Sequence, residues 1–545
     1  MTDSFIPLVV GAGPVGLTMA NELVRHGVPC RIIDRAPERS QTSKALAIFP
    51  RTLEAFESMG VVDRFLALGH RIQGLSLHHG NERIAQVDFS SVASPFPFTL
   101  GLPQAETERL FTENLAAAGI EVERNLELTG LTQTSDAVHA TLRLGDGREE
   151  TVQAPWLLGC DGAHSATRHL LGMAFEGASY DESFILADVQ IESNLERDRL
   201  HLFLGPEGIL GIIPFAPDRW RIVANIPPES RDQTLPDLTL PEVQELVDRR
   251  SSPAFRLSDP VWLSRFHISH RKVEQFRRLR VFLAGDAAHI HSPAGGQGMN
   301  TGIQDAFNLG WKLALVEKGM APAQLLGSYD LERRPVATSV INLTDRLTRM
   351  ATVRSSFAQS VRDFLLPVVS GIEFVGEKIA DRLAEVNVSY RDSSIVENHG
   401  AGGVKAGDHA PDADLRDANG NARRLFELFR STRHVLLVFL GAAPGAAQKA
   451  EELCGAARLI PEGSIDSYRV ARGLTNEAAE LRDLSGLAHA AYDLFDGGVA
   501  LVRPDGYIAC RSDDFDPVKV KRYLVRIFTT ATHPSFSTAE PAKDV

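Results

Sequence analysis

Three glycines and one acid near the N-terminus have the types and spacing of a dinucleotide site. Gly11, Gly13 and Gly16 follow the apolar run Leu8-Val9-Val10, and Asp34 ends the next apolar run. The first glycine permits a tight turn, the second lets backbone N–H groups approach a pyrophosphate, and the third lets a helix pack closely on the strand. The helix N-terminus directs partial positive charge at the phosphates. An acid about 20 residues further on accepts from a ribose hydroxyl, which favours FAD or NAD over NADP.

A second glycine-rich segment lies about 270 residues later in the chain. The stretch VFLAGDAAHIHSPAGGQGMNTGIQDAFNLGWKLA, which spans 281–314, predicts a buried strand, the pair Gly285-Asp286, a flexible loop and a helix. A lone GxGxxG is a weak signal. The two segments together predict one long cofactor that contacts two distant parts of the sequence.

Composition and charge are those of a globular enzyme. The 545 residues are 43% hydrophobic and 23% charged, and they should form roughly three to four domains. A net charge of −13 argues against nucleic acid as a partner. No apolar run is long enough to span a bilayer, and a fingerprint that begins at residue 11 leaves no room for a cleavable signal. The four cysteines, without CxxC spacing, predict reduced thiols and a cytoplasmic location.

The middle of the chain predicts sheet structure. Alternating stretches between 184 and 226 indicate an antiparallel sheet inserted into the parallel one, and Asp146-Gly147 predicts a hairpin turn. The segment 104–118 predicts a helix that ends at Gly119, and Trp156–Cys160 predicts a buried strand that runs into Asp161-Gly162. The sequence therefore predicts a parallel α/β core with an inserted sheet.

Three separated motifs carry a family resemblance. The fingerprint at 11–16, Asp161-Gly162 and Gly285-Asp286 resemble the flavin-dependent aromatic hydroxylases of class A, which have the p-hydroxybenzoate hydroxylase fold. DRAPERSQTSK at 34–44, GDAAHIHSPAGGQGMN and Glu332-Arg333-Arg334-Pro335 are similar to the phenol and pentachlorophenol 4-monooxygenase branch. GDHAPDADL at 407–415 and LVRPDGYIACR at 501–511 look like the C-terminal domain of that branch.

The resemblance implies an α/β fold with three parts. These are a Rossmann-like FAD-binding domain, an inserted antiparallel-sheet substrate domain and a C-terminal thioredoxin-like domain that lacks CxxC. The expected boundaries are 1–180 for the first part of the FAD-binding domain, with substrate-domain strands near 72–100, then 181–275 for the substrate sheet, 276–345 for the second FAD-binding part, 346–400 for a helical connection and 401–545 for the thioredoxin-like domain.

The resemblance also implies a set of FAD-contacting residues. They lie in the three motifs, after the second strand and on one intervening helix: Gly11, Gly13, Pro14, Val15, Gly16, Asp34, Arg35, Lys44, Gln104, Arg109, Asp161, Gly285, Asp286, Gly298, Met299 and Asn300. Lys44 stands where the family often has arginine. No metal site is expected, because His289 and His291 have no third ligand at zinc spacing.

Several of these residues are given individual roles by the resemblance. Gln104 reaches the ribityl chain with Arg109 nearby on the same helix face, and Asp286 accepts from a ribityl hydroxyl. The backbone N–H groups of residues 298–300 face the flavin pyrimidine carbonyl, where oriented amides stabilise negative charge. Of the two catalytic candidates, Pro293 borders the flavin face where oxygen adds, and Asp161 lies between flavin and nicotinamide.

A single dinucleotide fingerprint is visible, so NADPH or NADH is expected to dock transiently, reduce FAD and leave. The resemblance implies that O2 then gives a flavin C4a-hydroperoxide, which hydroxylates a phenolic or related aromatic substrate. The alternatives are a Baeyer–Villiger oxygenase or dehydrogenase of the same fold acting on a polycyclic aromatic compound, and a binding protein without catalysis. The expected partners are a small aromatic substrate and O2, with no nucleic acid, no membrane and a possible homodimer.

The substrate pocket is expected between the inserted sheet and the flavin. Its predicted lining, 203–215, 221–225 and Phe49-Pro50, is largely apolar and suits a phenol or a larger aromatic compound better than a small carboxylate. The base that deprotonates a phenol stays open: His201, His267 and Asp188 are candidates, each of which also has a structural interpretation.

Overall fold

The computed structural model describes eleven stretches of the chain: 5–42, 45–80, 82–205, 207–226, 237–251, 255–292, 295–352, 384–441, 446–457, 463–473 and 479–528. Lys44, Pro293 and most of the predicted helical connection at 346–400 lie outside these residues. The chain forms two compact units, one of Met1–Gly310 with Tyr329–Val388, and one of Trp311–Ser328 with Ser389–Val545. No helix in the described part of the chain is long and apolar enough to cross a membrane.

Among the described residues, twenty strands and eight helices occur in or extend into the first unit. The strands are β1 (Leu8–Val10), β2 (Arg31–Asp34), β3 (Ala47–Ile48), β4 (His70–Ile72), β5 (Gly74–His79), β6 (Glu82–Asp88), β7 (Thr99–Gly101), β8 (Val122–Arg124), β9 (Leu126–Gln133), β10 (Val138–Leu144), β11 (Glu149–Ala154), β12 (Leu157–Gly159), β13 (Glu176–Glu192), β14 (Arg199–Gly205), β15 (Gly208–Ala216), β16 (Arg219–Ile226), β17 (Arg256–Lys272), β18 (Arg277–Arg278), β19 (Val281–Leu283) and β20 (His289–Ile290). The helices are α1 (Pro14–Arg25), α2 (Pro50–Ser58), α3 (Val62–Leu68), α4 (Gln104–Ala117), α5 (Ala166–Leu170), α6 (Leu240–Arg250), α7 (Gly298–Glu317) and α8 (Gly327–Thr352).

A six-stranded sheet in the order β18-β19-β12-β1-β2-β8 forms the core of the predicted cofactor domain. β1 pairs in parallel with both β2 and β12, and β12 pairs in parallel with β19. Every residue of β1, β12 and β19 is buried, as expected for parallel strands that are covered on both faces. The fingerprint therefore leaves the carboxyl end of a central strand. Two three-stranded sheets, β11-β10-β9 and β3-β7-β4, flank this core.

An eight-stranded sheet in the order β20-β17-β13-β16-β15-β14-β5-β6 forms the inserted domain. Its central strands pair antiparallel, so successive side chains point to opposite faces. One face, here called the covered face, packs against α6 and its flanks through side chains such as Leu210, Ile212 and Ile222. The other, here called the open face, carries Leu202, Ile209 and Val223, which are only half-buried.

The second unit has its own mixed sheet. Its elements are β21 (Glu397–His399), β22 (Asp414–Asp417), β23 (Ala422–Arg424), α9 (Leu425–Leu428), β24 (His434–Leu440), α10 (Ala446–Ala457), β25 (Ile465–Arg472), β26 (Leu481–Asp483), α11 (Leu487–Tyr492), β27 (Gly498–Val502), β28 (Ile508–Ser512) and α12 (Pro517–Ile527). The strand order is β21-β28-β27-β24-β25-β26-β22-β23, and β24 is wholly buried at its centre. Apolar clusters cover both of its faces.

The predicted fold class is confirmed: a mixed α/β chain in which a Rossmann-like sheet, an antiparallel sheet and a C-terminal α/β unit follow one another. The expected antiparallel insertion and the hairpin at Asp146-Gly147 are present, the latter joining β10 to β11. The individual domain boundaries stay predictions.

Candidate active site

Close packing requires glycine at two of the fingerprint positions. Gly11 has φ +101°, and a Cβ there would lie 2.5 Å from the carbonyl oxygen of Cys160. A Cβ on Gly16 would lie 1.8 Å from the carbonyl oxygen of Gly11. Gly13 is different, because a Cβ there would meet no atom of the described residues within 4 Å. The backbone at the start of α1 thus faces open space, as a pyrophosphate site requires.

The two glycine-rich segments meet at Val15. A Cβ on Gly285, whose φ is +57°, would lie 2.7 Å from Val15 Cγ2, and a Cβ on Gly302 would lie 2.7 Å from the same atom. Gly285 and Gly302 are also packed on each other. Pro14, the first residue of α1, precedes this contact. The three-way packing of α1, the 285–287 turn and α7 brings both motifs to one place, and it leaves the Asp286 side chain exposed.

The Asp34 carboxylate lies beside the fingerprint turn. It accepts hydrogen bonds from the backbone N–H of Ala12 at 2.6 Å and of Ala36 at 2.8 Å. Arg124 lies 3.8 Å away, and the following residue, Arg35, is exposed. A carboxylate oxygen has more than one lone pair, so each can accept a further bond from a ribose hydroxyl.

A buried ionic network fixes the 285–287 turn. The Asp305 carboxylate accepts from the Gly285 backbone N–H at 3.0 Å, from His289 Nε2 at 2.7 Å and from Arg333 Nε at 2.7 Å. Arg333 also donates to the Thr301 carbonyl in the first turns of α7. Burial opposes ionisation of Asp305, but the charge of Arg333 and the bond from His289 hold its pKa below the usual value. Sequence reasoning missed Asp305 and Arg333; a charged residue on an otherwise apolar helix was the available signal.

The start of α7 is tied to β3 by one side chain. Asn300 Oδ1 accepts from the Phe49 backbone N–H at 2.9 Å, and its Nδ2 donates to the Ala47 carbonyl at 2.9 Å. Gly298 begins the helix, and Met299 is buried. The free N–H groups of the first turn of a helix suit an anionic or carbonyl ligand.

Gln104 and Arg109 lie on α4 but turn away from each other. Gln104 Nε2 donates to Glu108 at 2.9 Å, and its backbone N–H donates to the Ala45 carbonyl. Arg109 pairs with Glu106 and Glu113 near the surface. Five residues along a helix correspond to a rotation of about 140°. The expected shared helix face is therefore wrong, whereas contact of either residue with the cofactor stays a prediction.

The Asp161 side chain caps a helix. Its carboxylate accepts from Ser165 Oγ at 2.5 Å and from the Thr167 backbone N–H at 2.9 Å. Ser165 is itself the N-cap of α5 and accepts from the Arg168 backbone N–H. Asp161 therefore has a structural role at the carboxyl end of β12, and its place between flavin and nicotinamide stays a prediction.

The candidate bases on the inserted sheet all have partners. His201 lies on the covered face, where its Nδ1 is 3.1 Å from Nε2 of His78; burial lowers the pKa of His78 to about 4. His267 contacts Ser183 at 2.9 Å. Asp188 forms a buried bidentate pair with Arg221, with contacts of 2.7 and 2.8 Å. His201 is thereby separated from the open face by the sheet itself.

Glu385, which sequence reasoning also missed, lies where α7 meets the open face. Its carboxyl accepts hydrogen bonds from the side chains of Gln304 and Thr301. Its neighbours Ala384 and Val386 pack with Leu204 and other side chains of the open face. Burial raises the pKa of Glu385 to about 8, against the opposing charge of Arg333.

These residues fit a long dinucleotide. The open space at Gly13, the exposed Asp286, the Asp34 carboxylate and the N-terminus of α7 all belong to one edge of the parallel sheet. In the part of the chain that is described, no three His, Cys, Asp or Glu side chains group as a metal would require. The side chain of His289 is hydrogen-bonded to Asp305, and that of His291 to the Ser292 carbonyl.

Comparison with known proteins agrees with this geometry. Residues 6–344 match the family model described as FAD binding domain, and 404–531 match aromatic-ring hydroxylase, C-terminal. The chain is 34% identical to 6-methylpretetramide 4-monooxygenase of Streptomyces rimosus, over 92% of this chain and 90% of that protein. It is 34% identical to pentachlorophenol 4-monooxygenase of Sphingobium chlorophenolicum, over 93% of each chain.

A solved structure shows the same fold over nearly the whole chain. The anhydrotetracycline hydroxylase of Streptomyces rimosus superposes with a TM-score of 0.74 at 29% identity, over 96% of this chain and 99% of that one. Family models, relatives and fold coincide along both units. The chain therefore belongs to the FAD-dependent aromatic-ring hydroxylases, and it is a flavoprotein monooxygenase of the class A branch.

Proposed function

We propose that this monooxygenase hydroxylates an uncharged phenolic or polycyclic aromatic compound with NADPH or NADH and O2. The observation that carries the proposal is the open face, whose half-buried side chains Leu202, Ile209 and Val223 are all apolar. Arg221, which lies on this face, forms a bidentate pair with Asp188. A carboxylate substrate would have to compete with Asp188 for that guanidinium, so an uncharged ring fits better.

The relatives agree with this substrate class. Their names specify a pretetramide, pentachlorophenol and anhydrotetracycline, all of them phenolic or polycyclic. The inserted sheet meets the elements around the cofactor edge at two points. Gly101 of β7 packs on the Pro214 carbonyl, and Glu385 bonds α7 while its neighbours pack on the sheet. An aromatic ring on the open face would thus lie beside the first turns of α7.

When bound, FAD would accept a hydride from the nicotinamide, react with O2 and pass one oxygen atom to the ring, while the other leaves as water. The residues of the chain bind and orient it. Gly13 would leave room for the pyrophosphate, Asp34 would accept from the adenosine ribose and Asp286 from the ribityl chain. The N–H groups at Gly298–Asn300 would bind the pyrimidine carbonyl. The apolar open face excludes water from the reacting oxygen.

The test is NAD(P)H oxidation by the FAD-loaded protein with a panel of phenols and polycyclic phenols, combined with O2 uptake and product mass. We expect one O2 consumed per NAD(P)H and a product that gains one oxygen atom on the ring. Ring expansion in the product would indicate a Baeyer–Villiger oxygenase, and a product that loses two hydrogens without gaining oxygen would indicate a dehydrogenase. A protein whose NAD(P)H oxidation responds to no aromatic compound would contradict the proposal.

A further inference from the structure

Gly211 occupies the interior of a central strand of the inserted sheet. It lies on β15, the fifth of eight strands, between Leu210 and Ile212. Both neighbours belong to the apolar cluster under α6, on the covered face. Because side chains alternate along a strand, a side chain at 211 would point to the open face.

The backbone gives no reason for glycine at this position. Gly211 is absent from the glycines with positive φ, and Leu202 and Val223 oppose it in regular antiparallel register. Among the described residues, a Cβ would meet a single atom within 4 Å, the Val223 carbonyl oxygen at 3.7 Å, which is an ordinary contact. A glycine inside a strand weakens it and often marks the close approach of a ligand. The missing side chain therefore leaves room on the open face.

The room above Gly211 has an apolar rim. Leu202 and Val223 flank it on the adjacent strands, and Ile209 and Ile213 flank it along β15. All four are half-buried, whereas Leu210 and Ile212 on the other face are completely buried. The floor from β14 to β16 spans two interstrand spacings, about 9.5 Å.

We propose that Gly211 determines the size of the aromatic substrate, because its missing side chain lets a flat system of two or more fused rings lie across β14, β15 and β16. The inference rests on the proposed function and specifies its substrate class. Leu202, Val223, Ile209 and Ile213 contact the ring system from four sides. A single ring needs only part of this floor.

The test compares Gly211→Val with Gly205→Val. Gly205 ends β14, and by alternation its side-chain direction is the covered face; a Cβ there would meet no atom of the described residues within 4 Å. Each FAD-loaded protein is titrated, with nicotinamide absent, with phenol, 2-naphthol and 1-hydroxyanthraquinone, and binding is read from the flavin absorbance. FAD content and melting temperature are measured for each variant. If Gly211→Val does not load FAD, Gly211→Ala takes its place.

We expect Gly211→Val to weaken the binding of 1-hydroxyanthraquinone at least tenfold and that of phenol less than threefold. Gly205→Val should leave both affinities unchanged. Equal loss for all three probes, no loss for the three-ring probe, or a wild-type protein that binds none of them would overturn the inference. Since binding is read without turnover, size selection at Gly211 can hold even where no ring is hydroxylated. Conversely, hydroxylation of polycyclic phenols by an unaffected Gly211→Val protein would leave only the proposed function standing.

Discussion

The parallel sheet and the open face of the antiparallel sheet use glycine in opposite ways. At the parallel sheet, Gly11, Gly16 and Gly285 are crowded, because any side chain would overlap backbone or Val15. On the open face, a Cβ on Gly211 would meet only the Val223 carbonyl oxygen, at 3.7 Å, among the described residues, and half-buried apolar side chains flank the position. Crowded glycines bring parts of the protein together, whereas an open glycine makes room for something that is not protein. A glycine motif thus needs its neighbours before it indicates a ligand.

The largest effect is expected where the crowded region depends on a buried charge. Asp305→Asn removes the carboxylate that binds Gly285, His289 and Arg333, and it leaves the Arg333 charge buried without its partner. We expect a loss of about 3–5 kcal/mol in the free energy of unfolding, measured by denaturant titration. The matched control Glu245→Gln removes an exposed ion pair with Arg249, and it should change the free energy of unfolding by less than about 1 kcal/mol. Equal stability of the two variants would contradict the role of Asp305.

A second pair of variants compares a crowded glycine with an open glycine within the fingerprint. Gly16→Ala forces a Cβ onto the Gly11 carbonyl, and we expect a loss at or above the upper end of the ~1–3 kcal/mol typical of overpacking. Gly13→Ala should leave the melting temperature of the FAD-free protein unchanged and weaken FAD binding at least about tenfold, or ~1.4 kcal/mol. FAD affinity and melting curves distinguish the two. A Gly13→Ala protein that binds FAD normally would show that no phosphate passes there.

Replacement of Asp286 tests whether the cofactor binds beside the crowded glycines. Its side chain is exposed beside the packed Gly285, so Asp286→Ala should leave the FAD-free fold intact. Loss of a charge-assisted hydrogen bond to a ribityl hydroxyl should weaken FAD binding by ~1.5–3 kcal/mol. The measurement is a fluorescence titration of the FAD-free protein with FAD. Unchanged affinity would remove Asp286 from the cofactor site.

The last comparison concerns Glu385, which joins α7 to the open face. Folding raises the pKa of its carboxyl from 4.5 to about 8, chiefly by burial. Between these values the folded protein keeps a proton that the unfolded chain releases, so this group's contribution to stability falls as pH rises from 4.5 to 8. The slope is at most ~1.4 kcal/mol per pH unit. Glu385→Gln should lack this slope.

Melting temperatures of wild type and Glu385→Gln from pH 5.5 to 8 provide the measurement, because other titrating groups cancel in the difference. We expect the melting temperature of the variant to rise relative to that of the wild type as pH rises. Parallel curves would show that Glu385 is already ionised in the folded protein.

The sequence was sufficient where the chemistry is local. The fingerprint and the Gly285-Asp286 pair were predicted because a strand, a turn and a helix follow one another within a few residues. The Asp305 network was not, since its partners lie 16, 20 and 28 residues away and only tertiary packing brings them together. The face of Arg109 was wrong although helical geometry alone determines it: five residues turn the side chain away from Gln104.

The inserted sheet shows a similar division. Its strands were predicted from alternation, but which face is covered by α6 depends on where that helix packs. The packing of α6 therefore makes the covered face the one that carries Phe203 and His201, which contacts His78, and it leaves Leu202 on the open face. Lys44 and Pro293 lie outside the described residues, so their predicted roles stay predictions.

The contact of Val15 with Gly285 has a consequence for the order of events on the ribosome. The two residues are separated by about 270 positions in the chain, which at roughly 5–20 residues per second correspond to about 15–55 s of synthesis. During that interval β1 can pair with β2, and later with β12, while the edge of β12 that receives β19 is exposed. The first unit completes its cofactor edge only after Arg333 has been made. Until then, the nascent N-terminal half is an open sheet that needs protection from aggregation.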